Sequence, residues 1–138
     1  VIEGTTRSFT FTTREKVNSM VTEIAETMAK AYGGKATVTF VNYADPLIND
    51  EATASELAEV AKGYADKVIT NFPKRLGADD YADYLAVLPG VYMHVGTRNS
   101  NDSFTASPHH NEYFDIDERS MLLGSSIIVE YARQFFKK

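Results

Sequence analysis

One stretch of this chain has a clear helical period. Val17, Met20, Val21, Ile24, Met28 and Tyr32 recur at three- and four-residue steps and stop at Gly33-Gly34. Such an apolar stripe must be buried against another layer, and its flanks suggest which kind. Residues 2–11 are rich in Thr and Phe, residues 37–43 are β-branched and aromatic, and Asp45-Pro46 closes the second run. The order is therefore β-α-β, which predicts the α/β class, with parallel strands and a right-handed crossover if the two are neighbours. Thr12 followed by Glu15 fits a capping box at the helix start.

Further along, Leu57, Val60, Ala61, Tyr64, Ala65 and Val68 mark a second amphipathic helix, with Asn49 or Asp50 suited to its N-cap. Residues 68–72 fit a short strand, 79–87 a short helix and 91–96 an apolar strand after the Pro89-Gly90 turn. Residues 97–108 are polar and read as a loop. The last helix is expected over about 117–136, with Asp115 and Glu118 as a capping pair. Its apolar residues, Met121 to Leu123, Ile127 to Val129, Tyr131, Phe135 and Phe136, cover more than one face, so it requires burial on two sides.

The 138 residues, 43% hydrophobic and 24% charged, suit one domain with a real core. A net charge of −5, spread along the helices, leaves no basic footprint for nucleic acid. No apolar run approaches the roughly 18 residues of a membrane span and no leader pattern opens the chain, so a cytoplasmic protein is expected. Without Cys there is no thiol nucleophile and no thiolate ligand. Val1 opens directly into a strand-like run, which suggests a piece of a longer protein.

The densest polar group is His109, His110, Glu112, Asp115, Asp117 and Glu118, between the long loop and a helix start. Imidazole and carboxylate are the usual ligands of zinc or manganese, and sites are built on such loops. Neighbouring side chains diverge, so at most one of the two histidines faces a given metal. The alternative is two surface imidazoles ahead of a capped helix. Asp79 and Asp80, after Gly77 and Ala78, are either an acid pair or the first turn of a helix, where the dipole stabilises carboxylates. His94, inside an apolar run, reads as a structural histidine. The Arg7 guanidinium is suited to a substrate carboxylate, and an exposed strand arginine is its other reading.

Taken in order, Glu3-Gly-Thr-Thr-Arg-Ser-Phe9, Asn49-Asp50, Gly77-Ala-Asp-Asp-Tyr81, Pro89-Gly90 and His110-Asn-Glu-Tyr-Phe-Asp-Ile-Asp-Glu118 resemble the N-acyl-amino-acid amidohydrolase and hippurate hydrolase group, within the aminoacylase and carboxypeptidase family of metallopeptidases. The resemblance implies a ferredoxin-like lid domain inserted into an α/β/α catalytic domain holding two divalent ions, zinc, manganese or cobalt. Residues 1–45 would be the last β-α-β part of the lid, which also serves dimerisation, and residues 46–138 the C-terminal segment of the catalytic domain.

By the same resemblance His110 is a metal ligand, with His109 as the alternative one residue away, and Arg7 contacts the substrate carboxylate. Gly77, Asp79 and Asp80 stand for a Gly-Gly-Glu-Asp-Phe type motif, with Asp79 in place of Glu and Tyr81 in place of Phe. Glu112 stands where the family has Pro. The other ligands and the catalytic glutamate would lie upstream, so the chain alone is expected to be inactive and to partner the N-terminal part of the same enzyme. The reaction implied is hydrolysis of N-acyl amino acids or small peptides by metal-activated water, in a homo-oligomer. The contrasting reading is a non-catalytic module that dimerises through an exposed strand edge.

Overall fold

A computed structural model describes residues 1–137. Its elements, in chain order, are α1 (Phe11–Ala31), α2 (Glu51–Ala61), α3 (Tyr81–Leu85), a 3-10 turn (Ser103–Ala106) and α4 (Arg119–Phe135). They fall into two compact units, one made of residues 1–48 with 73–89 and the other of residues 49–72 with those from 90 onward.

In the first unit α1 follows the periodic stretch. Thr10, in extended backbone, accepts a hydrogen bond from the Thr13 N–H at 3.1 Å and is the cap, two residues ahead of the expected Thr12. At the other end Gly33 adopts φ 74°, and the Gly34 and Gly33 N–H groups reach back to the carbonyls of Ala29 and Lys30 at 2.8 and 3.0 Å. Only a residue without Cβ takes that left-handed position freely, so the double glycine ends the helix. No residue of α1 is buried, and Met20, Ile24 and Met28 stay at least half exposed along its apolar stripe. Arg14 lies over the Phe11 ring, donates to the Ala44 carbonyl at 3.2 Å and pairs with Asp45, tying the segment after the helix to its first turn.

The second unit holds a cluster of buried apolar residues. Leu57, Val60 and Ala61 of α2 pack against Ile127 of α4, with Val68, Val91, Met93, Leu123 and Tyr131 closing around them. Asp50 caps α2, accepting from the Thr53 N–H and hydroxyl at 2.8 and 2.7 Å; these bonds to its charged form hold its carboxyl below the usual carboxylate range. Asn49 grips the next segment at two points: its Oδ1 accepts from the Tyr92 N–H at 2.8 Å and its Nδ2 donates to the Tyr92 carbonyl at 3.0 Å. Gly124 lets α4 approach that segment, since a Cβ there would meet Val95 Cγ2 at 3.3 Å.

The α/β expectation is overturned. Among the described residues no strand and no sheet forms, so neither the β-α-β unit, the ferredoxin-like lid nor the α/β/α layering is present. Residues 2–8, 37–43 and 91–96 run without helix, and no ladder of backbone hydrogen bonds joins them. β-Branched and aromatic side chains favour strands only where a neighbouring strand and a half-buried surface receive them. Here Val41 and Tyr43 are exposed, and the partner of the Tyr92 backbone is a side chain.

The last helix buries one side in the described residues, not the two that its apolar residues led one to expect. Ile127 is 3% exposed, whereas Leu122 and Val129 on other faces are 74% and 67% exposed. Glu118 occupies the N-cap position of α4 without a side-chain capping bond, and the first turn is bonded instead by Asp117, whose Oδ1 accepts from the Arg119 N–H at 3.1 Å and whose carbonyl accepts from the Ser120 N–H at 2.9 Å. No helix among the described residues is long and apolar enough to cross a membrane.

Candidate functional site

The candidate residues lie on loops of both units. Arg7 belongs to the first unit, on an exposed segment ahead of α1, and makes no ion pair with the described residues. Gly77 is exposed, and a Cβ at that position would meet nothing within 4 Å. The Asp79 Oδ1 accepts from the Tyr81 N–H at 2.9 Å, and the Asp79 carbonyl accepts from the Ala82 N–H at 3.2 Å. Asp79 thus organises the first turn of α3. Asp80 occupies the N-cap position with no side-chain capping bond.

In the second unit a long loop carries the two histidines, and its path is set by buried polar bonds. Thr105 is 6% exposed; its hydroxyl accepts from the Asn99 N–H at 2.8 Å and lies 2.7 Å from the Asp102 carbonyl, to which it donates. Asp117 anchors the far end of the loop, donating its N–H to the Thr97 carbonyl at 3.0 Å. Its carboxylate accepts from Arg119 Nε at 2.9 Å and is also bonded by Asn99. Chiefly because of Arg119, its carboxyl titrates at about 2, so Asp117 is an ionised structural anchor rather than a proton donor near neutrality.

The histidines between these anchors differ. The His109 ring meets the Phe114 ring edge-on, with centroids 4.8 Å apart. Both histidines are exposed, and His110 sits in left-handed backbone at φ 63°, the one non-glycine residue with positive φ among those described. Histidine is among the few side chains that take this conformation at modest cost, and such positions recur at functional sites. Asn111 follows with a tight turn, its Oδ1 accepting from the Tyr113 N–H at 2.9 Å and its carbonyl from the Phe114 N–H at 3.0 Å. His94 is exposed, edge-on to Tyr92 at 5.2 Å and tilted against Phe72 at 6.2 Å, an aromatic cluster away from the histidine loop in sequence.

Among the described residues no group of three or more His, Asp or Glu side chains is placed to hold a metal ion. A divalent site of the zinc type needs about three or four protein ligands. An exposed imidazole on a fastened loop fits one of them, so these residues match a single ligand of a metal site and not a whole one. Sequence reasoning found the histidines but missed Thr105, Asn99 and Asn111, which shape their loop. The signal available was local: Asn and Thr in a polar loop bond to nearby backbone.

No family model matches the chain, and no solved structure does. Curated relatives nevertheless match it almost end to end. N-acetyl-L-cysteine deacetylase of Bacillus subtilis is 31% identical over 97% of this chain. IAA-amino acid hydrolase ILR1-like 6 of Arabidopsis thaliana and thermostable carboxypeptidase 2 of Saccharolobus solfataricus are each 28% identical, over 98% and 99% of it. The class these relatives define is that of hydrolytic enzymes. Over nearly its whole length the chain is similar to these deacetylase, amino acid hydrolase and carboxypeptidase relatives. It spans 30% of the length of the first two relatives and 34% of the third.

Proposed function

We propose that this chain works as part of a metal-dependent amidohydrolase that cleaves the amide bond of N-acyl amino acids or small peptides bearing a free carboxylate. The observation that carries the reading is the relationship, over nearly all of the chain, to a deacetylase, an amino acid hydrolase and a carboxypeptidase. Residues 1–45 would belong to a lid and dimerisation segment and residues 46–138 to the catalytic segment.

In this reading His110 holds one of two divalent ions, zinc, manganese or cobalt. Both histidines are exposed, and the contact of the His109 ring with Phe114 favours His110 over its neighbour for that role. A bound ion supplies a water activated near neutral pH and polarisation of the scissile carbonyl. The residues of this chain supply binding and orientation. Arg7, exposed and without an ion-pair partner among the described residues, would take the substrate carboxylate in a forked pair of charged hydrogen bonds, selecting substrates with a free carboxyl end. Gly77, Asp79 and Asp80 contribute a turn and not a reacting group. The exposed stripe of α1 supports a homo-oligomer.

The test is substrate selectivity in the complete enzyme. Arg7→Ala should weaken hydrolysis of an N-acetyl amino acid by about tenfold or more, the worth of a charged hydrogen bond of about 1.5–3 kcal/mol, and spare the amidated analogue. Equal loss on both substrates would make Arg7 structural. Failure of the unaltered enzyme to hydrolyse any N-acyl amino acid or peptide would remove the proposal.

A further inference from the structure

We infer that the side of α4 turned away from the α2–α4 contact is a docking surface for an apolar, uncharged layer supplied by the rest of a longer polypeptide. The inference rests on reading this chain as part of a larger enzyme. Met121, Leu122, Ile128 and Val129 are each more than half exposed. At about 100° per residue they fall within roughly 120° of the helix circumference, on the side away from buried Ile127. No charged residue stands between Arg119 and Glu130, and Glu130 is itself held by Arg133 at 2.6 and 2.7 Å. Large apolar side chains without interspersed charge mark a permanent contact rather than a surface that meets water or a passing partner.

The area that needs covering separates a second copy from the rest of the polypeptide. The chain exposes 11533 Å². A folded monomer of its mass exposes about 7100 Å², and two separate globules of half that mass about 8600 Å² together, so roughly 2900 Å² is in excess even with each unit taken by itself. A standard interface covers about 800 Å² on each partner, and obligate ones about 1000–2500 Å². One further copy is too small a cover for that excess. The chain spans 30% to 34% of the length of the relatives it matches, which leaves most of their length to supply the layer.

In the complete enzyme, Val129→Cys is reacted with a maleimide in buffer and in urea, and the modified peptide is followed by mass so that other cysteines do not count. Reaction in buffer should be slower than in urea by about 100-fold or more, as at a position that reacts only when the structure opens. Separately, the enzyme with its leucines replaced by photo-leucine is irradiated, and cross-links from position 122 are mapped by peptide mass. They should reach peptides outside residues 1–138 and run as a single chain on a denaturing gel. If Val129→Cys reacts in buffer within a few-fold of its rate in urea, the face lies in water and the inference is overturned. Cross-links that join two chains give the face to a second copy and overturn it too, as does an absence of cross-links beyond residues 1–138. Neither readout uses substrate, so a covered face in a protein that hydrolyses no N-acyl amino acid would remove the proposed activity and leave the surface.

Discussion

Ile127 is the most completely buried large side chain of the second unit, and truncating it gives the sharpest test of that unit's packing. It is 3% exposed and meets Leu57, Val60 and Ala61 across the α2–α4 contact. Ile127→Ala removes three buried carbons, which at about 0.8 kcal/mol each is a transfer loss of about 2.4 kcal/mol. A cavity term adds to this, and comparable truncations span about 2–5 kcal/mol. The surrounding Leu123, Val91 and Tyr131 are only partly buried and can move inward, so the total should be about 3 kcal/mol. That is a large fraction of the roughly 5–15 kcal/mol that holds a typical domain folded. The control is Ile128→Ala, whose side chain is 58% exposed and whose loss should stay within about 0.5 kcal/mol. Urea unfolding followed by helical circular dichroism gives both values from midpoint and slope. A loss below about 1 kcal/mol for Ile127→Ala, or equal losses for the two isoleucines, would refute the α2–α4 packing described above.

Acid titration tests the anchors of the loop and of α4. Asp117 and Glu130 both titrate at about 2, Asp117 chiefly through Arg119 and Glu130 chiefly through Arg133. Their folded values lie below the unfolded values of about 3.9 and 4.3, so their stabilising contribution is fully present above about pH 4 and is lost as pH falls through about 2. Carboxyl chemical shifts should show both midpoints near 2, with Asp117 alone returning towards 3.9 in Arg119→Ala; a midpoint near 4 for Asp117 in the unaltered protein would contradict the anchor.

The helices were legible because their signals are local. The three- and four-residue spacing of α1, its glycine stop and the Asp50 cap of α2 each depend on residues within a turn or two of one another. Cap positions were less so: Thr10 and Asp117 do the work expected of Thr12 and of Asp115 with Glu118, since several polar side chains near a helix start can all serve. The strands were misjudged because a strand is a property of two segments. Residues 37–43 and 91–96 have the right side chains but no ladder partner, and nothing in either segment says whether one exists. At the site, residue types pointed to His109 and His110 together. What separates them is the φ of His110 and the path that returns Phe114 to His109, neither of which is written in a dipeptide of identical residues.

Metal content measured beside turnover tests the proposal that His110 of this chain holds a metal ion in an amidohydrolase. In the complete enzyme, His110→Ala should lose one of two bound ions by elemental analysis and nearly all hydrolysis of an N-acyl amino acid, while His109→Ala keeps both ions and most activity. Full metal content and unchanged turnover in His110→Ala would show that His110 is not a ligand.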